Sequence, residues 1–70
     1  MSSYECWIWL VEEEDGSEGP VAAMVPELPF GPLVLQHSKK AFAEAFGPVA
    51  RNHGHETGRA VRLAHMVEAP

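Results

Sequence analysis

The sequence is poor in cysteine, in positive charge and in long apolar runs. Its one cysteine, Cys6, excludes an internal disulfide framework. Five Lys and Arg against ten Asp and Glu give a net charge of −5, which repels phosphate backbones and predicts no nucleic-acid partner. No apolar run approaches the roughly 18 residues of a membrane span, and the N-terminus does not resemble a signal peptide. We therefore expect no membrane partner and a cytoplasmic location.

The length of 70 residues predicts one domain, residues 1–70, with a small core. A chain of this size buries only about 60% of the surface that its unfolded form exposes, so its stability is marginal. Small domains gain stability from disulfides, a metal or self-association. Because this chain cannot form an internal disulfide, a metal or self-association is the remaining source of added stability.

The N-terminal segment from Tyr4 to Val11 holds two tryptophans two residues apart. In an extended chain alternate side chains share a face. One face then carries Tyr4, Cys6, Ile8 and Leu10, and the other carries Glu5, Trp7, Trp9 and Val11. Both faces are largely apolar, which indicates a central strand covered on both sides.

Turn residues and prolines divide the next segment. Asp15-Gly16, inside the acidic run Glu12 to Glu18, predicts the tip of a hairpin. Its second strand is expected at Pro20 to Val25, on a sheet edge. The segment from Pro26 to Gln36 has prolines at three positions and is expected to be an extended connector.

A helix is predicted after the connector, with Ser38 as its N-cap. Pro48 predicts either a kink or the restart of a second helical segment, and Gly58 predicts a left-handed C-cap. Residues 59–67 alternate and predict a third strand. Helical spacing predicts an inward stripe made of Phe42, Ala45, Phe46, Val49 and His53.

These elements predict an α+β fold, a small β-β-α-β domain. Its three-stranded, antiparallel-type sheet has the order 2-1-3, with one kinked helix on one face. One helix covers one face only, so the other face of the sheet is open in a monomer.

The phase of the first strand decides which side chains are open. If Cys6, Ile8 and Leu10 face the helix, Trp7 and Trp9 belong to an apolar interface with three further candidates, Val11, Met24 and Met66. In the reversed phase Tyr4, Ile8 and Leu10 are open instead. Large exposed apolar patches mark partner surfaces, so we expect a homo-oligomer formed through the open face or a free strand edge. The alternative is that the connector covers this face.

No residue pattern predicts a catalytic site, a resident metal or another cofactor. The string His53, His55 and Glu56 is the alternative metal site, and it requires a frayed helix end, because helical residues two apart point about 200° away from each other. Cys6 lies mid-strand and is expected to be a buried apolar side chain. The acidic run is expected to be a solvated hairpin tip, and electrostatic steering toward a basic partner is its alternative role.

The layout of an aromatic first strand, an acidic Asp-Gly turn, a "PLV" connector and a helix running into "ETGRAVRL" resembles small uncharacterised proteins encoded by actinobacterial phages. The resemblance implies a short non-enzymatic factor in the host cytoplasm that binds itself and a host protein. The leading hypothesis is therefore an interaction module, and the alternative is a small metal- or ligand-binding protein that uses the histidines near the helix C-terminus.

Overall fold

A computed structural model describes residues 4–68 and has an α+β fold, which confirms the predicted class. The elements in chain order are β1 (Tyr4–Glu12), β2 (Glu18–Pro20), β3 (Ala22–Val25), β4 (Leu28–Val34), β5 (Gln36–His37), α1 (Lys40–Ala45), α2 (Gly47–Thr57) and β6 (Val61–Glu68).

Strand β1 lies in the centre of the main sheet. Strands β2 and β5 pair with one edge of β1, and β6 pairs with the other edge, all antiparallel. This is the predicted 2-1-3 arrangement, with the second strand replaced by two short strands end to end. The described chain therefore has more than the three predicted strands.

The predicted second strand and connector fold differently from the expectation. The chain leaves the main sheet after Val21, forms the β3–β4 hairpin and returns at Leu35. Pro26 lies in the hairpin turn, and residues 29–32 lie in an irregular part of the ladder, where a missing N–H breaks no regular pair. The prolines that favoured a connector are thus accommodated within a hairpin.

Three buried residues form the junction between the two sheets. The Trp9 N–H donates to the Leu35 carbonyl at 3.0 Å, the Leu35 N–H to the Val21 carbonyl at 3.0 Å, and the Val21 N–H to the Trp9 carbonyl at 2.9 Å. Val21 and Leu35 have no exposed surface. This closed ring of backbone bonds allows the hairpin to leave the sheet without orphaned polar groups.

The helical region restarts at Gly47, as one of the two interpretations of Pro48 predicted. Pro48 lies in the first turn of α2, where its missing N–H costs little, and Gly58 caps the helix with φ 69°. The prediction of Ser38 as N-cap is wrong. Lys39 occupies that position without a side-chain cap, and its own N–H donates to Nδ1 of His37.

The most buried residues of the helices are small, and the predicted stripe is correct only in part: Phe46 and Val49 pack against the core cluster, whereas Phe42 and Ala45 are exposed. Phe42 is 55% exposed, because the buried stripe runs one position further along the chain. Small side chains let the helix backbone approach the sheet closely. The buried helical residues are Ala43, Gly47, Ala50 and Gly54.

Candidate interaction surface

The two faces of β1 have different neighbours. The Trp9 indole N–H donates a buried hydrogen bond of 2.8 Å to the Ala43 carbonyl of α1. Trp9 and Val11 are 8% and 5% exposed and share the core cluster with Val25 of the hairpin and Ala50 of α2. The odd-numbered face of β1 is thus the helix face. The phase that made Trp9 and Val11 interface candidates is therefore not the one adopted, because a buried indole N–H needs an acceptor and the helix supplies it.

Trp7 also lies on the helix face, where its ring is half-buried. It stacks on its cross-strand neighbour His65 with ring centroids 4.3 Å apart and an angle of 6° between the rings. His65 Nε2 lies 3.0 Å from a carboxylate oxygen of Glu5. Trp7 therefore contributes to a cross-strand stack and not to an open apolar face.

The even-numbered face of β1 is open, which is the reversed phase that the sequence left as an alternative. The register places Cys6 opposite Met66 and Ile8 opposite Ala64 on this face. Both helices and the hairpin pack against the other face, through Trp9, Val25 and their neighbours. We define the open face by its apolar side chains: Tyr4, Cys6, Ile8, Leu10, Ala64 and Met66.

The open face is apolar in the middle and exposed at one end. Cys6 and Ala64 have short side chains and are 8% and 7% exposed, whereas Tyr4 and Met66 are 63% and 52% exposed. Ile8 and Leu10 are half-buried. The face therefore offers an apolar strip that no described helix covers.

Met24 does not join the open face, although it was predicted as an interface candidate together with Met66. It lies in β3 of the second sheet and is 57% exposed. There it lines a groove between β3 and α2 together with Val49 and His53. The structure thus separates the two methionines onto different surfaces.

Besides the open face, the candidate surface includes the outer edge of β6. Within residues 4–68, β6 pairs with β1 alone. Its residues from His65 to Glu68 are exposed, and Val67 is 60% exposed. The sequence predicted a free strand edge but not which strand supplies it. The eight residues of β6 contain no proline, and this already favours β6 as a long pairing edge. We call the open face and this edge together the interaction surface.

An ion pair closes one end of the open face. The Arg62 guanidinium donates through Nε and Nη2 to the two carboxylate oxygens of Glu18, at 2.7 and 2.6 Å. The hydrogen bonds from Arg62 lower the pKa of the Glu18 carboxyl below its ordinary value, and the same contact raises the pKa of Arg62. The bidentate contact ties β2 to β6 across β1.

The acidic run is a folded hairpin tip. Gly16 has φ 87°, which confirms the predicted turn at Asp15-Gly16. Ser17 donates through its hydroxyl and its N–H to Asp15, and these bonds lower the pKa of the Asp15 carboxyl. Arg59 contacts Glu13 at 3.2 Å and Glu14 at 3.0 Å. Arginines of the same chain thus neutralise part of the run.

The histidines of α2 do not converge. His53 and His55 lie two apart on one continuous helix, and Glu56 accepts a hydrogen bond from Asn52. Among residues 4–68 no group of three or more His, Cys, Asp and Glu side chains is placed to hold a metal ion. The geometry therefore does not favour the alternative metal site.

In the described part of the chain, neither α1 nor α2 is long and apolar enough to span a membrane. No protein-family model, curated protein or solved structure matches the chain.

Proposed function

We propose that this protein is a non-enzymatic interaction module that self-associates through the interaction surface. The observation that carries the proposal is the one-sided cover of the main sheet. Both helices and the hairpin lie on the face of Trp9, and the strip that includes Ile8 and Met66 lies on the other side. An exposed apolar strip beside an unpaired strand edge is a typical site of protein association.

The energetics of a small domain support the same proposal. Among the residues that the structure describes, the core cluster has six buried side chains, and Trp9 is the one aromatic among them. Each further apolar side chain that a partner covers contributes about 1.5–3 kcal/mol when fully buried, a large share of a small domain's stability. Self-association thus strengthens a fold whose own core is small.

The cellular setting is part of the proposal. We place the protein in the cytoplasm, where the free thiol of Cys6 stays reduced. The phage origin and the binding of a host protein through the same surface stay predictions.

Light scattering with size-exclusion chromatography tests the proposal. The mass is measured from low to high micromolar protein, with circular dichroism to establish that the chain is folded. We expect a dimer or larger assembly that dissociates on dilution. A folded chain with the monomer mass at every concentration would overturn the proposal.

A further inference from the structure

The two edges of the main sheet differ in their capacity to pair. One edge is made of β2 and β5, which have three and two residues and are separated by the β3–β4 excursion. Pro20 at the end of β2 lacks an N–H. The other edge is β6, with eight residues and no proline. Of the two edges of the main sheet within residues 4–68, β6 is the one that offers a long, continuous row of backbone groups.

The register shows which residues of β6 point to this outer edge. Glu12 and Ala60 continue the register of β1 and β6, and the Glu12 N–H donates to the Ala60 carbonyl at 3.0 Å. Backbone groups alternate between the two sides of a strand, so the even-numbered residues of β6 bond β1. The outward N–H and C=O groups belong to Val61, Leu63, His65 and Val67.

We infer that β6 pairs antiparallel with β6 of a second copy of this chain, about a two-fold axis at His65. This inference rests on the proposed self-association and assigns its edge and register. A two-fold axis perpendicular to the sheet maps each face onto itself. Directly opposite residues of an antiparallel pair must also lie on the same face. One residue therefore lies opposite its own copy, and the axis passes midway between the two.

The charged residues of β6 indicate which residue lies opposite its own copy at the axis. With the axis at His65, Arg62 lies opposite Glu68 of the partner subunit, twice by symmetry. An axis at Ala64 places Arg62 opposite a methionine, and an axis at Met66 places Glu68 opposite an alanine. Opposite charges facing each other stabilise a strand pair. The position at His65 is therefore favoured.

The same register matches apolar side chains. It places Ala64 opposite Met66 of the partner subunit on the open face. These even-numbered positions form the non-hydrogen-bonded pairs of the new ladder, where side chains approach most closely. In the free chain the Arg62 guanidinium extends across β1 to Glu18, on the side away from this edge, so it exchanges that contact for Glu68 of the partner subunit when the strands pair.

The packing of the helices leaves this edge accessible. Helix α2 approaches β6 at its first residue, where Gly54 lies against Val61. The antiparallel arrangement places the two α2 helices at opposite ends of the new strand pair. The exposed residues His65 to Glu68 lie near the centre and the outer part of the contact.

Disulfide trapping tests the register. In a Cys6→Ala background, single variants His65→Cys, Met66→Cys and Val67→Cys are oxidised under identical mild conditions at the concentration of the assembly. All three positions are exposed, and circular dichroism establishes that each variant is folded. A residue on the axis lies about 5.5 Å from its own copy between Cα atoms, within disulfide range. We expect His65→Cys to cross-link at least about tenfold faster than Val67→Cys, with Met66→Cys between them.

The outcomes separate this inference from the proposed function. Fastest cross-linking at Met66→Cys overturns the register. An assembled chain that cross-links at none of the three positions overturns the edge pairing and leaves self-association through the open face. A chain that stays monomeric contradicts both.

A charge reversal supplies a second test that does not depend on cysteine. Glu68→Arg puts two arginines opposite each other at both symmetric positions, and we expect the dissociation constant to rise about tenfold. The matched control is Glu56→Arg, the same reversal at an exposed position of α2. Equal dissociation constants for the two variants would overturn the pairing of Arg62 with Glu68.

Discussion

The Trp9 indole N–H lies 2.8 Å from the Ala43 carbonyl oxygen and joins the central strand to the end of α1. The last carbonyls of a helix have no partner within the helix. The Ala43 carbonyl accepts the Phe46 N–H at 3.1 Å and the Trp9 indole N–H. This contact fixes which face of β1 the helices cover, and thereby which face stays open.

Replacing this indole should destabilise the fold. Trp9→Phe removes a buried hydrogen bond and leaves a cavity, so we expect a loss of about 2–4 kcal/mol in the free energy of unfolding. Urea denaturation followed by circular dichroism measures it. Trp7→Phe is the control, since it keeps a ring against His65, and we expect a loss below about 1 kcal/mol. Equal losses would contradict the anchoring role of Trp9.

The close approach of α2 to the sheet gives a second prediction. A Cβ at Gly54 would lie 2.9 Å from the Arg59 carbonyl oxygen, which is backbone. Gly54→Ala should therefore destabilise by about 1–3 kcal/mol, although alanine is the better helix former. Thermal unfolding monitored by circular dichroism gives the difference.

The control for this change lies in the same helix. At Gly47 the added Cβ would meet the end of the flexible Arg51 side chain at 2.9 Å, and that side chain can move away. Gly47→Ala should be neutral or stabilising by up to about 1 kcal/mol. If Gly54→Ala behaves in the same way, the close approach at Arg59 has no energetic role.

The sequence carried much of the fold but not the phase of the first strand. The alternation of β1 and β6, the Asp15-Gly16 turn, the helix restart at Pro48 and the C-cap at Gly58 all follow from local chemistry. Both faces of β1 are apolar, so periodicity alone could not tell which face meets the helix. The decision depends on an acceptor for the Trp9 indole, and that acceptor is 34 residues away in the chain.

The hairpin β3–β4 was beyond sequence reasoning for a similar reason. Prolines are unfavourable in a regular strand, and β3 and β4 accommodate them because the pairing of these two strands is irregular. The ring of bonds among Trp9, Val21 and Leu35 is a long-range feature with no local signal. The reversed phase, which leaves Tyr4, Ile8 and Leu10 open, was among the alternatives, but Met66 was predicted beside the tryptophans and lies on the other face, opposite Cys6.

The ion pair of Glu18 and Arg62 predicts a dependence of stability on pH. Because the Arg62 contact lowers the folded pKa of Glu18, its stabilisation is present above the ordinary value of 4.5 and is lost as the pH falls through the folded pKa. The melting temperature of Glu18→Gln should therefore fall less than that of the natural chain between pH 7 and about pH 3.

A second carboxylate provides the comparison for this pH dependence. Glu56 is exposed on α2 and accepts a hydrogen bond from Asn52, without an arginine. Glu56→Gln should follow the melting curve of the natural chain more closely than Glu18→Gln does. Identical pH profiles for both variants would show that the Arg62 contact has no role in stability.

The most direct test of the interaction surface uses its two separated methionines. Met66 and Met24 have similar exposure, 52% and 57%, but only Met66 lies on the open face. Met66→Glu and Met24→Glu make the same chemical change on different surfaces. Sedimentation velocity at micromolar concentration compares the variants with the natural chain. We predict that Met66→Glu sediments as a folded monomer while Met24→Glu keeps the assembly; an unchanged assembly in Met66→Glu, or its loss in Met24→Glu alone, would contradict this account.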